Sequence, residues 1–397
     1  MKGGVRMRRI GTQAFGIRLP IISQGDDLAG IVAESLSEAL HAGNLTLRET
    51  DVVGVTEAMV AKSQGNFATI DHIAADIRKK FPDGEVGVVF PILSRNRFMN
   101  ILKGISRGAR KVYLLLQFPC DEVGNPIMRL EDMDSIYDSG ETLFSAGAFR
   151  QMTGEHSHPF TGVDYLSLYR EAGANIEIYV SSDPRTILNM TKDVLVGEIH
   201  TRMLTKKRLL KAGARNVYTL SDILSESVDG SGYNPQYGIL GSNLSGDEVL
   251  KLFPRDCDAF VNDVRSRIER ACGIAPEVLI YGDGAFKDPL AGIWELADPV
   301  VSPAYTEGLK GRPREIKIKL VADALRRDMD GEQKAAAIRE MVREKNRDKD
   351  GTCVSEGTTP RNYVDLLGSL CDLISGSGDK GTPVVLIQGY FDDYSCQ

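Results

Sequence analysis

The stretch "GDDLAGIVAESLSEALHAGNLTLRETDVVGVTEAMVAKSQGN", residues 25–66, decides the fold class. Its first half predicts a helix that Asp26 or Asp27 would cap and Gly43 would end. The apolar residues at helical spacing are Leu28, Ile31, Val32, Leu36, Ala39 and Leu40. Its second half predicts a short β-branched strand, a helical turn and a glycine exit. A helix that leads directly into a strand favours an α/β fold.

The same alternation continues along the rest of the chain. Apolar runs of strand length are "EVGVVFPI", "RKVYLLLQFP", "NIEIYV", residues 277–281 and the closing "PVVLIQGYF". Helical patterns occupy about 256–272, 331–350 and 362–374. A polar stretch fills about 121–170, and a Gly/Ser/Asn-rich loop breaks the chain at 228–248. Strands that alternate with helices predict an α/β (α+β) protein with mixed sheets.

Length and composition bound the class of protein. The chain has 397 residues, enough for two domains or for one domain with a large insertion. A net charge of -7 argues against a nucleic-acid partner, although the same charge also serves solubility alone. The cysteines show no zinc-site spacing, and no apolar run approaches the roughly 20 residues of a membrane helix. We therefore expect a cytoplasmic protein with no membrane partner.

The stretch "LIYGDGAFKDP", Leu279–Pro289, is the strongest candidate for chemistry. Asp283 follows an apolar strand directly, and glycines flank it on both sides. Carboxylate oxygens are the ligands that Mg²⁺ prefers, so Asp283 would bind a metal, Lys287 would neutralise phosphate charge, and Asp288 would hold a second ion or an amine. The equal alternative is that Asp283 and Asp288 are turn residues bonded to nearby amides. No P-loop is present, and each glycine-rich loop taken alone is more often a plain turn.

Other polar residues give weaker indications. Arg95 and Arg97 follow an apolar strand and suit a clamp on a carboxylate, with a solvated loop as the equal competitor. His156 and His158 lack a visible third metal ligand, which favours surface or hydrogen-bonding roles. His200 would make an anion contact or lie on a helix surface. The chain has no G-x-S-x-G elbow, which weakens an acyl-hydrolase interpretation.

Four blocks of the chain resemble, in order, the coenzyme F420 gamma-glutamyl ligases. "LPIISQGDDLAGIVAESL" and then "DVVGVTEAMVAKSQGN" resemble the family's opening. "GSNLSGDEVLKLFPRDCDAFVNDVRSRI" is similar to its S-N-V segment and the following L-P-x-D-P-D-A. "LIYGDGAFKDP" takes the place of its S-D-T-F-G-R-P motif, and "DLISGSGDKGTPVVLIQGY" resembles its closing M-G-x-x-x-x-x-P-V-V-x-I-R-G.

The resemblance implies a fold and an activity. Residues 1–75 and 236–397 would form a ligase-like nucleotide- and metal-binding core, and residues 76–235 a large inserted α/β region that serves as an acceptor-substrate domain. The family joins the amine of glutamate to a carboxylate through an acyl phosphate. GTP as co-substrate, Mg²⁺ or Mn²⁺, K⁺ and a homodimer are therefore implied as well.

The resemblance also implies roles for individual residues. Nucleotide contacts would come from Leu19, Pro20, Ile21, Ile22, Glu57, Ala58, Lys62, Asn243, Gly376, Gly378 and Thr382. The catalytic pair would be Asp283 and Lys287, and the metal ligands Asp283 and Asp288. The large insertion suggests acceptor contacts from Arg95, Arg97, His158 and Asp164.

Three positions depart from the family's pattern. The family's other metal-binding aspartate has no counterpart, because Leu240 or Gly241 stands in its place. Gly284 stands where the family has Thr, and Gln388 where it has Arg. The acids that would replace the missing ligand are Asp229, Asp247 and Asp288.

These departures keep three functions open. The first is an amide ligase that adds glutamate or another amine to a carboxylate acceptor, with GTP or ATP as the nucleotide. The second is another phosphoryl-transfer enzyme on the same scaffold, a kinase or a nucleotide hydrolase, which would turn over nucleotide without an amine. The third is a non-catalytic nucleotide sensor, which the missing aspartate favours.

Overall fold

The computed structural model describes residues 10–158, 162–282, 286–287, 294–295, 301–311, 330–345, 362–376 and 378–392. Within them the chain forms a four-stranded sheet, a six-stranded sheet, a three-stranded sheet and a two-stranded ribbon. Helices cover the two larger sheets. The prediction of a mixed α/β (α+β) fold is confirmed.

The strands are β1 Gln13–Ile17, β2 Val52–Thr56, β3 Phe67–Thr69, β4 Glu85–Val89, β5 Lys111–Gln117, β6 Leu143–Ser145, β7 Ile176–Ser181, β8 Asp193–Val196, β9 Asn216–Thr219, β10 Asn243–Gly246, β11 Val249–Lys251, β12 Glu277–Tyr281, β13 Phe286–Lys287, β14 Trp294–Glu295 and β15 Val384–Gln388. The helices are α1 Leu28–Gly43, α2 Glu57–Ser63, α3 Ile70–Lys80, α4 Phe98–Gly108, α5 Met133–Ser139, α6 Ala146–Thr153, α7 Tyr165–Arg170, α8 Arg202–Lys211, α9 Cys257–Cys272, α10 Gly331–Lys345 and α11 Tyr363–Ser375.

The four-stranded sheet has the order β1-β15-β2-β12 and is mixed, because β12 runs parallel to β2 and β15 antiparallel to it. Helices α1 and α9 cover one face and α11 covers the other. Burial on both faces explains why β2 reads as a continuous β-branched run. Gly54 in β2 permits the close approach of α11, since a Cβ there would lie 2.4 Å from Cys371 Sγ.

The six-stranded sheet has the order β6-β7-β5-β4-β8-β9. Five of its strands are parallel, and β6 is an antiparallel edge. If the five parallel strands are numbered 1 to 5 along the chain, their order across the sheet from β7 to β9 is 3-2-1-4-5. This is the doubly wound order, and its switch point lies between β4 and β8. Its strands lie within residues 85–219, but its hydrophobic core extends to Ala68 and Leu252 outside the predicted insertion. The proposed domain division itself stays a prediction.

Strand β10 of the three-stranded sheet, whose order is β10-β11-β3, lies within 228–248, where the sequence predicted only a loop. The polar stretch 121–170 also differs from its prediction, because it contains β6 and the short helices α5, α6 and α7. Among the described residues, no helix combines the length and apolar character that crossing a lipid bilayer would require.

Candidate functional site

Four chain segments meet at one edge of the four-stranded sheet. Parallel strands β2 and β12 both end there, since Tyr281 pairs in register with Thr56. Strand β15 begins there, because Val384 pairs with Val55 of β2 and with Ile17, the last residue of β1. Three of the four blocks that carry the family resemblance, the opening, Leu279–Pro289 and the closing block, therefore reach this edge. We call it the ligase edge: the residues that follow β1, β2 and β12 and those that precede β15.

The loop before β15 is fixed by hydrogen bonds. Tyr281 donates from its hydroxyl to Ser375 Oγ at 2.7 Å, at the end of α11. The amide of Gly378 donates to the carbonyl oxygen of Ser375 at 3.1 Å and lies 3.2 Å from its Oγ. Thr56 N donates to the Pro383 carbonyl at 3.0 Å, which ties the loop to β2. Gly376 ends α11 in the left-handed region, with φ of 56°.

Thr382 lies directly over β1. A Cβ added at Gly16 would come within 2.8 Å of Thr382 Cβ and Oγ1, so glycine is the residue that permits this approach. Lys380 in the same loop and Arg18 after β1 are both exposed, and neither has an ion-pair partner among the described residues. The sequence prediction named Thr382 but neither of these two cations.

The predicted nucleotide residues 19–22 form a loop against α2. Ile22 is buried, whereas Ile21 is 90% exposed. Gly25 N donates to the Ser63 carbonyl at 2.8 Å, which holds the loop at the end of α2. Lys62 in α2 is half-buried and has no ion-pair partner within the described part of the chain. Its ammonium is therefore available to a negatively charged ligand.

A buried ion pair joins the ligase edge to the three-stranded sheet. Lys251 Nζ lies 2.8 Å from Glu57 Oε1, and the side chains are 13% and 6% exposed. Lys251 also pairs in register with Asn243 across β10 and β11. Two predicted nucleotide residues, Glu57 and Asn243, are thus brought together by Lys251, a residue that no sequence motif indicates. Glu57 and Lys251 are 194 residues apart in sequence, so no local sequence pattern predicts their contact.

The loop between β4 and α4 carries Arg95 and Arg97 and lies beside Asn243. Leu244 N donates to the Asn96 carbonyl at 3.3 Å, so the arginines flank a residue that contacts β10. Arg95 is exposed and Arg97 is half-buried. The structure therefore brings two of the four predicted acceptor residues to the side of the three-stranded sheet.

Two side chains hold the loop of Arg95 and Arg97: Asp121, which follows β5, and Tyr169 of α7. Leu93 N donates to Asp121 Oδ2 at 2.7 Å, and Ser94 N donates to the Tyr169 hydroxyl at 2.9 Å. Burial raises the pKa of Asp121 to about 6, although hydrogen bonds from Leu93 and from Asn125 oppose that shift. Asp121 therefore titrates close to neutral pH, and its charge state bears on the loop that carries Arg95.

The other two acceptor candidates make internal contacts. His158 is 2% exposed, and its Nε2 lies 3.2 Å from Asn125 Oδ1. Asp164 caps α7, accepting from Leu166 N at 3.0 Å, and it forms an ion pair with Arg150. These contacts of His158 and Asp164 are with Asn125, Leu166 and Arg150. Their acceptor role stays a prediction.

A small cavity lies at the switch point of the six-stranded sheet. Its volume of about 20 Å³ leaves room for one water molecule. Its lining residues are Ile92, Arg97, Phe98, Ile101, Ile199, Leu220, Ile239, Leu240, Gly241 and Ser242. Ser242, next to Asn243, is 2% exposed, and its Oγ has no hydrogen-bond partner among the described residues. This hydroxyl is a polar atom that a ligand or a water would satisfy.

Carboxylates of the chain itself lie at the start of α8, on the same edge. Glu122 accepts hydrogen bonds from the amides of Ile199, His200 and Thr201 at the start of α8, and from Thr201 Oγ at 3.1 Å. Glu198 beside it is buried, and burial followed by the charge of Glu122 raises its pKa. The place where a doubly wound sheet would hold a phosphate is therefore filled by the Glu122 carboxylate.

The predicted metal residues Asp283 and Asp288 lie outside the described residues. Of the catalytic pair, only the backbone of Lys287 is described, in the short ribbon of β13 and β14. Within the described ranges no group of three or more His, Cys, Asp or Glu side chains is arranged to hold a metal ion. Glu57, a carboxylate at the ligase edge, is neutralised by Lys251.

The family model for F420-0:gamma-glutamyl ligase matches residues 16–389, nearly the whole chain. The match begins in β1 and ends just after β15, so it contains every segment of the ligase edge. A search of curated proteins finds no match. The chain belongs to the F420-0:gamma-glutamyl ligase family.

Proposed function

We propose, taking this family membership as the premise, that the chain is a nucleotide- and metal-dependent amide ligase whose nucleotide binds at the ligase edge. It joins glutamate or another amine to a carboxylate acceptor through an acyl phosphate. The observation that carries the proposal is the meeting of three of the four family blocks at one sheet edge, with Lys251 of the fourth block paired to Glu57 there. GTP is the proposed co-substrate, with ATP as the alternative.

The side chains at the ligase edge suit a nucleotide. Lys62, Lys380 and Arg18 supply positive charge for phosphates, and none of them is neutralised by a described acid. The loop of residues 19–22 follows β1 and Thr382 packs over Gly16 of β1, and both are proposed to border the nucleotide. These residues bind and orient the reacting phosphate, which is the main task of a protein in phosphoryl transfer.

The metal is proposed to bind at Asp283, with Asp288 as a second ligand. Gly282, the residue before Asp283 in sequence, follows the last residue of β12 at the ligase edge and donates its amide to the Val301 carbonyl at 2.8 Å. A Mg²⁺ or Mn²⁺ ion there would neutralise charge on the transferring phosphoryl group, and K⁺ is proposed as an additional ion. Lys287 is the proposed partner of Asp283 in catalysis.

The acceptor is proposed to bind between Asn243 and the loop that carries Arg95 and Arg97. Both arginines present guanidinium groups that suit a carboxylate, and the hydrogen bond of Leu244 with Asn96 keeps their loop next to β10. The acceptor would then lie between the ligase edge and the loop that follows β4, with its reacting carboxylate directed to the nucleotide. A homodimer and a cytoplasmic location stay predictions.

The test is an assay of nucleotide turnover with F420-0, the acceptor in the family's name, and with glutamate. Carboxylate oxygen labelled with ¹⁸O in the acceptor appears in the released phosphate if an acyl phosphate forms. We expect turnover to require acceptor, amine and metal together, and Asp283→Asn to abolish it. Asp263→Asn, the same change on α9 away from the edge, is the matched control.

The other outcomes identify the rival functions. Nucleotide hydrolysis that proceeds at the same rate without an amine would contradict the ligase and favour another phosphoryl-transfer enzyme. Nucleotide binding without turnover, across a panel of carboxylate acceptors, would favour a sensor.

A further inference from the structure

Helix α8 presents an unusual exposed face. Its buried side consists of Thr205 and Leu209, at 2% and 0% exposure. On the remaining surface Met203, Leu204 and Leu210 are 62%, 49% and 48% exposed. These apolar side chains lie on one short helix, whereas single exposed apolar residues scattered over a surface would be ordinary.

Cations fill the same face. The segment Arg202–Lys211 contains five Lys and Arg residues and no acid, in a chain with a net charge of -7. Helical geometry at 100° per residue places Lys207 at the centre of the exposed face, opposite Thr205 and Leu209, with Lys211 next to it. Lys206 lies nearer the buried side and pairs with Asp222 at 3.3 Å. We call Met203, Leu204, Lys207, Leu210 and Lys211 the α8 face.

A basic cleft adjoins the α8 face. Its volume is about 650 Å³, and its charged lining residues are Arg185, Arg208, Lys211 and Asp183. The one acid, Asp183, is held by Arg185 at 2.7 Å. Arg208 and Lys211 therefore leave the cleft with an excess of positive charge beside the apolar side chains of α8.

We propose that the α8 face docks the protein on the surface of an anionic lipid bilayer. Met203, Leu204 and Leu210 enter the boundary between headgroups and acyl chains, while Lys207 and Lys211 extend to lipid phosphates. The adjoining cleft receives a headgroup phosphate between Arg208 and Lys211. This contact is peripheral, and it differs from the sequence-based expectation of no membrane partner.

The chemistry favours a bilayer over a protein partner. Lysine is depleted from the buried centres of protein interfaces because its ammonium would lose water there. At a bilayer the ammonium stays in the headgroup layer while its methylene stem packs on apolar surface. A face with lysine at its centre and leucine and methionine around it therefore matches a lipid surface. The proposal does not depend on the ligase activity.

The test is co-sedimentation of the full chain with vesicles of phosphatidylcholine alone and of phosphatidylcholine with an equal part of phosphatidylserine. We expect binding to the mixed vesicles only, decreasing as salt is raised. Lys207→Glu with Lys211→Glu should weaken binding on the order of 30-fold or more, since each cation near an anionic surface contributes about 1 kcal/mol. Leu204→Ser with Leu210→Ser should also weaken it, at unchanged net charge.

The matched control is Arg170→Glu with Arg270→Glu, which makes the same change in net charge at exposed positions outside the α8 face. Circular dichroism and the thermal midpoint show that each variant is folded. Equal binding to both kinds of vesicle, or an equal loss in the control variant, would overturn the proposal. Binding of soluble polyglutamate without binding of mixed vesicles would also overturn it, and would identify an acidic polypeptide as the partner.

Discussion

The edges of the four-stranded and six-stranded sheets differ in the charged side chains that lie at them. Strand order alone would direct a nucleotide to the six-stranded sheet, at the switch point between β4 and β8. At that edge the start of α8 is occupied by Glu122, and the start of α7 by Asp164. At the ligase edge, Lys62 and Lys380 have no ion-pair partner among the described residues.

The difference shows that a doubly wound order does not by itself make a phosphate site. Backbone amides at helix starts attract negative charge in both regions. At the starts of α7 and α8 the chain supplies that charge from its own carboxylates, whereas Lys62 and Lys380 at the ligase edge have no ion-pair partner among the described residues. This contrast supports the proposal that the nucleotide binds at the ligase edge and the acceptor at the loop of Arg95 and Arg97.

The largest effect is expected from Lys251→Met. This change removes the cation that neutralises the buried Glu57, and breaking a buried pair from one side costs about 3–5 kcal/mol. Urea unfolding measures the loss. The double variant Glu57→Gln with Lys251→Met should recover most of it, since no buried charge is left. A loss below about 1 kcal/mol would mean that the pair behaves as a solvated surface pair.

A second test breaks the carboxylate contact at the six-stranded sheet. Glu122→Ala removes the acceptor of the amides of Ile199, His200 and Thr201, and should lower the unfolding free energy by about 2 kcal/mol. Formate should restore part of the stability, beyond the effect of chloride at equal ionic strength. Glu141→Ala, the same change at an exposed position, is the control. Stability equal to that of the control would show that Glu122 is dispensable there.

The smallest stability effect concerns the pH dependence of Asp121. Its pKa of about 6 in the folded protein lies above its ordinary value of 3.8, so the folded chain binds a proton before the unfolded chain does as pH falls. Asp121 should therefore stabilise the fold by about 1 kcal/mol more at pH 5 than at pH 7. The difference in unfolding free energy between the wild type and Asp121→Asn should show this trend. A difference independent of pH would contradict it.

Local patterns predicted much of the fold. The helix at residues 28–43 ends as expected at Gly43 with Asp27 as its cap, and the strand 277–281 has its predicted bounds. Periodicity and capping are local, so one sequence suffices to detect them. The helices α5, α6 and α7 were not predicted, because each has only six to eight residues and depends on tertiary packing.

The nucleotide residues of the site were named only through the family resemblance. The resemblance named Glu57 and Asn243, but Lys251, which joins them, became visible only with the strand register. Glu122 was not named either, since the amides that it accepts lie 77 to 79 residues away in sequence. Contacts between distant segments depend on topology, and no local spacing encodes them.

The most direct measurement is isothermal titration of GTP and of ATP, each with Mn²⁺ and with EDTA, into the wild type, Lys62→Ala and Arg95→Ala. The two variants remove one cation from each of the compared edges. We predict that metal-dependent affinity for one nucleotide falls about tenfold, or 1.4 kcal/mol, in Lys62→Ala and is unchanged in Arg95→Ala. A loss in Arg95→Ala with full affinity in Lys62→Ala would place the nucleotide at the six-stranded sheet and contradict the assignment.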